Sequence, residues 1–481
     1  MSETKTIADL MAESGVRFGT SGARGRVVEL TAELVAAYTG AFVAQQRQRH
    51  GLRADTPIAI GYDRRASSPA IANAVAQGIA RAGHRPIDAG AVPTPALAGW
   101  AIERGWPCVM VTGSHIPADR NGLKFYRADG ELDKDDEAAI QGQPVPTGAL
   151  GDAGADAAVD PDTPTRWYLD RFVRAFGPEA LAGCTVAAFG HSAVGRELTV
   201  RVLSALGATV DRVGDTDDFV AIDTEAIDET THAAARAWAA SGKYAAIVST
   251  DADGDRPLLA DERGRWLRGD QVGILCARRL AAHVVVTPVS TSSAVEGCGW
   301  FRHVRRTRIG SPYVIAGMQA ETGARVFGFE ANGGVLLGEG FAGPAGPLPP
   351  LRTRDALTSL VALLHAVASE ARPLSAWVED LPLRHGASGL LRHVPRARAH
   401  DELQALAQAG PAHASSWLGL GPTEAIDTTD GLRMTLHNGD IVHLRPSGNA
   451  PELRCYTESD DAARAEALVA HALGLVADWA G

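Results

Sequence analysis

The feature that most constrains this chain is a strand, loop, helix and strand unit that recurs along it. Pro57 to Gly90 reads as a strand (PIAIGY), a loop, a helix (PAIANAVAQGIARA), Gly83 as helix stop and a second strand (RPIDAG). Thr185 to Gly214 repeats the order with TVAAF, a glycine-containing loop, the helix GRELTVRVLSAL, Gly207 and ATVDRVG. A third, degraded copy starts at His283 with HVVVTP, passes a short helix near Ser292 to Glu296 and ends in a strand at Arg308. A helix stopped by glycine and followed at once by a β-branched run is the mark of a βαβ unit. Such units build mostly parallel sheets covered by helices on both faces. Two Gly- and Pro-rich stretches, Gln141 to Pro164 and Gly338 to Asp355, read as linkers, the second equally as a functional loop. Beyond Arg372 the pattern changes to helices mixed with short strands (GLRMTLH, DIVHLRP, LRCYTE).

The 481 residues suit three or four domains at roughly 100–200 residues each. The expected fold is three related mixed α/β domains plus a smaller α+β C-terminal domain around a central cleft. The domains are expected at 1–150, 163–265, 266–371 and 372–481. A net charge of −11 leaves no chain-wide footprint for nucleic acid, so an anionic ligand must be held by local basic groups. Only four of the 46 basic residues are lysines (Lys5, Lys124, Lys134, Lys243), so a lysine inside a motif stands out. The five cysteines are scattered without a CxxC pair, the pattern of ordinary thiols in a reducing compartment. No apolar run approaches the ~20 residues that span a bilayer, and the polar N-terminus lacks a signal-peptide core. The expectation is a cytoplasmic protein with no membrane partner.

Four loops carry groups with chemistry in them. In VMVTGSHIPADRNGLKFY (Val109 to Tyr126) a β-rich run delivers Ser114 and His115 to its end, where ligands sit in open α/β sheets, with Lys124 beyond an Asn-Gly turn. Alone, a serine at such a turn need only satisfy backbone groups. In IVSTDADGDRP (Ile247 to Pro257), Asp251, Asp253 and Asp255 alternate in a glycine-containing loop, followed by Arg256. Three carboxylates so close repel unless a cation neutralises them, and with a phosphate oxygen they suit Mg²⁺ better than a full calcium cage. In GFEANGG, Glu330, Asn332 and Gly333 form a turn with groups to accept from and donate to hydroxyls. In HLRPSGNAPELRCY, Arg445, Ser447, Gly448 and Asn449 combine turn N–H groups, a hydroxyl and a guanidinium into a phosphate nest.

One such motif per domain, in this order, resembles the α-D-phosphohexomutase superfamily of phosphoglucomutases and phosphomannomutases. The opening signature is matched by Phe18-Gly19-Thr20-Ser21-Gly22-Ala23-Arg24-Gly25, the GYDxR…S pattern by Gly61 to Ser68, and PTPAL by Pro93 to Leu97. The resemblance covers nearly the whole chain. It implies that Ser114 carries a phosphoryl group and that Asp251, Asp253 and Asp255, with a phosphoryl oxygen on Ser114, hold one Mg²⁺ per chain. It further implies that His115 belongs to the catalytic serine loop, that Lys124 transfers protons, and that Arg24 and Arg256 attend the phosphoryl group. Glu330, Asn332 and Gly333 would read the sugar, and Arg445, Ser447, Gly448 and Asn449 would clamp its other phosphate.

The implied reaction interconverts hexose 1-phosphate and hexose 6-phosphate through a phosphoserine and a 1,6-bisphosphate, with hexose 1,6-bisphosphate as activator. Mannose is the expected sugar, with glucose overlapping. The sugar loop Glu330-Ala331-Asn332-Gly333-Gly334 departs from the Glu-x-Ser-Gly-His of many members and is similar to that of acetylglucosamine-phosphate mutases. A phosphoglucosamine or acetylglucosamine-phosphate mutase is therefore the alternative within the class. A non-catalytic phosphosugar-binding protein and a metal-dependent hydrolase are the alternatives outside it. The expected partners are small hexose phosphates, and the expected state is a monomer or homodimer.

Overall fold

The computed structural model describes residues 5–19, 22–145, 158–323, 325–447 and 451–480. Three of its four sheets share one connection pattern. In the first, the strand Ile58–Tyr62 is flanked in parallel by Pro86–Ala91 and Cys108–Val111, and the last of these returns antiparallel as Arg120–Arg127. In the second, Thr185–His191 lies between Thr209–Asp215 and Ala246–Thr250 in parallel, with Pro257–Ala260 antiparallel. In the third, Val284–Pro288 lies between His303–Thr307 and Val326–Phe329 in parallel, with Val335–Leu337 antiparallel.

The strands feeding the three returns are buried throughout (CVMV, AIVST, VFGF), as expected for runs covered on both faces. The recurring sequence unit thus extends one step further than the βαβ pattern. Each copy ends in an antiparallel return, and the loop of that return is the same topological position in all three sheets. Ser114, the three aspartates and Glu330 occupy these three loops.

The two linker-like stretches differ from that expectation. Residues 146–157 of the first lie outside the described residues, but Ala158–Val159 pairs in parallel with Pro86–Ala91 and so belongs to the first sheet. The second stretch folds into the third sheet, because Leu351–Asp355 pairs antiparallel with Val335–Leu337. Asp355 then caps the helix Ala356–Glu370, accepting from Leu357 N at 3.0 Å. That helix is apolar and buried nearly all round, as befits one at the centre of a large protein.

One apolar cluster runs through the first three sheets, joining Trp100, Tyr168, Leu203, Val248, Phe327 and Leu360. The fourth sheet differs in kind. It is wholly antiparallel, in the order His385–Arg392, Glu452–Ser459, Ile441–Pro446, Leu432–Leu436, Thr423–Asp427. Leu403 and Leu406 of one helix and Leu468 and Val469 of another pack on it, in a core confined to this unit.

Candidate active site

The serine loop is built by the GYDxR…S segment. Buried Asp63 accepts from Ser68 Oγ at 2.6 Å, Thr112 Oγ1 at 2.7 Å and Arg65 Nη1 at 2.9 Å. Arg65 in turn donates to the carbonyls of Ser114 (3.1 Å), Ile116 and Arg120 (3.0 Å). Held this way, Ser114 adopts φ 55°, a left-handed conformation uncommon outside glycine and kept only where the surroundings impose it. Its Oγ is buried and donates to Asp251 Oδ2 at 2.6 Å.

The metal-type loop is pinned from the first sheet. Thr94 of the PTPAL segment donates through Oγ1 to Asp253 Oδ2 at 2.6 Å and through N to Asp253 O at 2.9 Å. Gly254, at φ 77°, passes beneath Pro93, where a Cβ would meet the proline ring at 3.0 Å. Lys124 Nζ lies between two carboxylates, 2.5 Å from Asp253 Oδ2 and 2.7 Å from Asp255 Oδ2. One oxygen from each of the three aspartates falls within 4.8 Å of the others.

The electrostatics follow from burial and spacing. Burial and the charges of Asp253 and Asp255 push Asp251 well above the usual carboxylate range. Burial also presses on Asp253 and Asp255, but Lys124 beside the first and Arg354 beside the second outweigh it, and both stay low. His115, whose Nδ1 is 3.5 Å from Ser114 Oγ, is lowered to about 4 by burial and by the Arg256 charge, so its ring is neutral near pH 7. Burial, and next the neighbouring Arg256, bring Arg24 down to about 10.

Several buried atoms here have no hydrogen-bond partner among the described residues: Asp253 Oδ1, Asp255 Oδ1, Arg24 Nε, and Nε and Nη1 of Arg256. Buried polar groups are normally paired. Carboxylate oxygens beside guanidinium donors fit a divalent cation and a phosphoryl group together, so the donor set suits the expected metal.

Glu330 and Asn332 are buried on the turn of the third sheet. Gly333, at φ 86°, donates to Glu330 O at 2.9 Å, and Glu330 N donates to Gly334 O at 3.1 Å. Asn332 Oδ1 accepts from Gly334 N at 3.0 Å, so the group it can turn to a ligand is its amide N–H. The first three sheets are therefore brought together at one centre.

Arg445, on the fourth sheet, is not part of that hydrogen-bonded cluster. Its Nε donates at 2.8 Å to Asp430 Oδ2, which also accepts from Ile309 N at 3.0 Å. Ser447 is buried and donates through N to Glu452 O at 2.8 Å. Gly448 and Asn449, like Thr20 and Ser21 of the opening signature, lie outside the described residues.

Sequence reasoning missed Arg354 and Glu131. Arg354 donates to both Asp255 and Glu330, at 2.8 and 2.7 Å. Glu131 receives Ser311 and Thr353 hydroxyls at 2.6 and 3.1 Å, tying the first sheet to the third. Arg354 lies in a stretch read as linker, and no local pattern marks it.

The family model for phosphoglucomutase/phosphomannomutase alpha/beta/alpha domain I matches residues 15–144. Those for domain III and the C-terminal domain match 268–385 and 392–474. The chain is 42% identical to a phosphomannomutase of Sinorhizobium fredii over 473 residues, covering 96% of this chain and 99% of that protein. It is 30% identical to a probable phosphoglucosamine mutase of Methanothermobacter thermautotrophicus, over 92% of this chain and 93% of that one. The solved structure of a putative phosphomannomutase from Thermus thermophilus shares the fold at TM-score 0.76, with 22% identity, 96% of this chain and 99% of that one covered.

Proposed function

This chain belongs to the phosphoglucomutase/phosphomannomutase family of enzymes, and from that premise we propose that it interconverts the 1- and 6-phosphates of mannose through a phosphorylated Ser114. The observation that carries the reading is the convergence on Ser114. Its hydroxyl, on a strained turn, meets Asp251 at 2.6 Å, while Lys124 joins the other two aspartates.

Asp251, Asp253 and Asp255 are the residues that would hold one Mg²⁺. Bound there, the ion supplies Lewis-acid charge neutralisation for phosphoryl transfer. In the forward step a free sugar hydroxyl attacks the phosphorus on Ser114. The new P–O bond forms as the Ser114 Oγ–P bond breaks, and the proton leaving the sugar hydroxyl is returned to Ser114 Oγ. Lys124 is the group placed to pass it, with neutral His115 beside Oγ. Arg24 and Arg256, with buried N–H donors that lack a hydrogen-bond partner among the described residues, would take up the oxygens of the transferred group. The resulting 1,6-bisphosphate then returns its other phosphate to Ser114, so added hexose 1,6-bisphosphate would prime unphosphorylated enzyme.

Glu330 and Asn332 would read the sugar hydroxyls, with Gly333 shaping their turn. Arg445, Ser447, Gly448 and Asn449 would hold the phosphate that is not reacting. The separate core of the fourth unit supports its closing over the site to exclude water. No helix among the described residues is long and apolar enough to cross a membrane, and the five cysteines are unpaired. Both features accord with a cytoplasmic enzyme.

Mannose is preferred because the phosphomannomutase relative is the nearer at 42% against 30%. Asn332, with an amide where the family commonly has a hydroxyl, favours an amino sugar as the second reading. Phosphorus NMR with Mg²⁺, a trace of hexose 1,6-bisphosphate and the 1-phosphates of mannose, glucose or glucosamine tests both. The 6-phosphate signal should grow fastest with mannose. Fastest growth with glucosamine would establish the second reading, and release of inorganic phosphate alone would replace the mutase with a hydrolase.

A further inference from the structure

We infer that Arg354 is a positioning residue that locks the metal loop and the sugar loop into one rigid unit, and that Gly334 is glycine to make room for it. Asp255 and Glu330 sit on return loops of different sheets, both buried, so their charges repel through a poorly screened interior. Arg354 stands between them. Its Nη2 donates to Asp255 Oδ2 at 2.8 Å and its Nη1 to Glu330 Oε2 at 2.7 Å.

The planar fork of a guanidinium holds the two carboxylates on two separate nitrogens at a fixed spacing, whereas an ammonium holds its partners on one atom at the end of a flexible stem. Holding Asp255 by Oδ2 leaves its buried Oδ1, which has no hydrogen-bond partner among the described residues, as the oxygen available to a cation. The anchor is itself fixed from a third side. Arg354 N and Thr353 Oγ1 both donate to Glu131 Oε1, at 3.4 and 3.1 Å. A Cβ at Gly334 would lie 3.0 Å from Arg354 Cδ and 2.9 Å from Asp255 O. A side chain there would displace the arginine stem and the metal loop together.

This inference rests on the proposed roles of Asp255 and Glu330, and its test separates it from them. Mg²⁺ alone is titrated calorimetrically into the full-length protein and into Arg354→Lys, Arg354→Met and Gly334→Ala, with circular dichroism checking the fold. If Arg354 orients Asp255, Mg²⁺ binds about tenfold more weakly in all three variants. If it merely offsets charge, Arg354→Met leaves a more negative site that binds Mg²⁺ more tightly, and Arg354→Lys behaves as wild type. Either of those results overturns the inference.

In turnover, Arg354→Lys should raise the KM for hexose phosphate by about tenfold and add nothing further in a Glu330→Gln background. Independent, additive effects would also overturn it. Should Arg354→Met fail to fold, Arg354→Lys and Gly334→Ala carry the decision. Wild-type protein that binds Mg²⁺ but turns over no hexose phosphate would sink the mutase reading while leaving the Mg²⁺ comparison interpretable.

Discussion

Ser114 shows how a residue becomes chemical through its setting. Its hydroxyl has one partner at 2.6 Å and its backbone is held at φ 55° by Asp63 and Arg65, residues of a motif fifty positions earlier in the chain. Ser114→Ala should remove nearly all turnover while sugar-phosphate binding persists, because the loop proposed to hold the other phosphate is on another sheet. Phosphorus NMR and calorimetry on the same preparation check the two halves, and near-normal turnover would end the phosphoserine mechanism. Lys124 is one of four lysines in the chain and the only one buried among carboxylates. Lys124→Met should cut kcat by about 10²–10⁴-fold, the usual worth of a positioned proton-transfer group, and loss of less than tenfold would assign Lys124 a purely structural part.

At the scale of elements, the helix Gly269–Arg279 decides how closely the sugar loop can approach. Its glycines at 269 and 273 lie one turn apart on the same face. A Cβ at Gly273 would meet Phe329 Cδ2 at 2.3 Å, and one at Gly269 would meet the Asn332 carbonyl carbon at 2.3 Å. Alanine for glycine inside a helix ordinarily gains about 1 kcal/mol. Here Gly273→Ala should instead cost about 1–3 kcal/mol from overpacking, read from urea unfolding. Gly269→Ala should raise the KM for hexose phosphate, since its clash falls on the backbone of residues 331–333. A gain in stability for Gly273→Ala would show that the helix shifts freely on its strand.

For the whole molecule, the separate core of the fourth unit predicts more than one unfolding transition. Each part carries a buried histidine that acts as an acid-labile element. His191 donates to Thr250 O and His443 to Asp430 O, and burial lowers both from 6.5 to about 4. The sign is that of a depressed base. The unfolded chain takes up a proton near pH 6.5 that the folded chain refuses until about pH 4. The stability these groups contribute is therefore complete above pH 6.5 and lost on acidification toward pH 4, by about 3 kcal/mol per histidine. Scanning calorimetry between pH 7 and 4.5 should show the fourth unit's transition falling with acid, and His443→Gln should flatten that fall alone. A single transition, or equal flattening of every transition, would show that the fourth unit does not unfold by itself.

The repeat was legible in the sequence because β-branched runs, helices and glycine stops are local events, and so were the three motif loops at the ends of its strands and the fourth motif loop beyond them. Ser114, Lys124 and the three aspartates stood out by residue type and spacing, and the structure places them in direct contact. The sequence left 338–355 open between a linker and a functional loop because proline and glycine mark both without saying what they pack against, and the strand Leu351–Asp355 exists only through its partner Val335–Leu337. Arg354 was invisible for the same reason. One arginine among 42 has no local signature, and its meaning comes from two carboxylates 99 and 24 positions away. The sequence by itself determined the repeating elements and the chemical groups at their ends, since both depend on neighbours in the chain. Only the tertiary structure decided which ends meet and what holds them at a fixed distance, because that depends on charges and volumes brought together from three sheets.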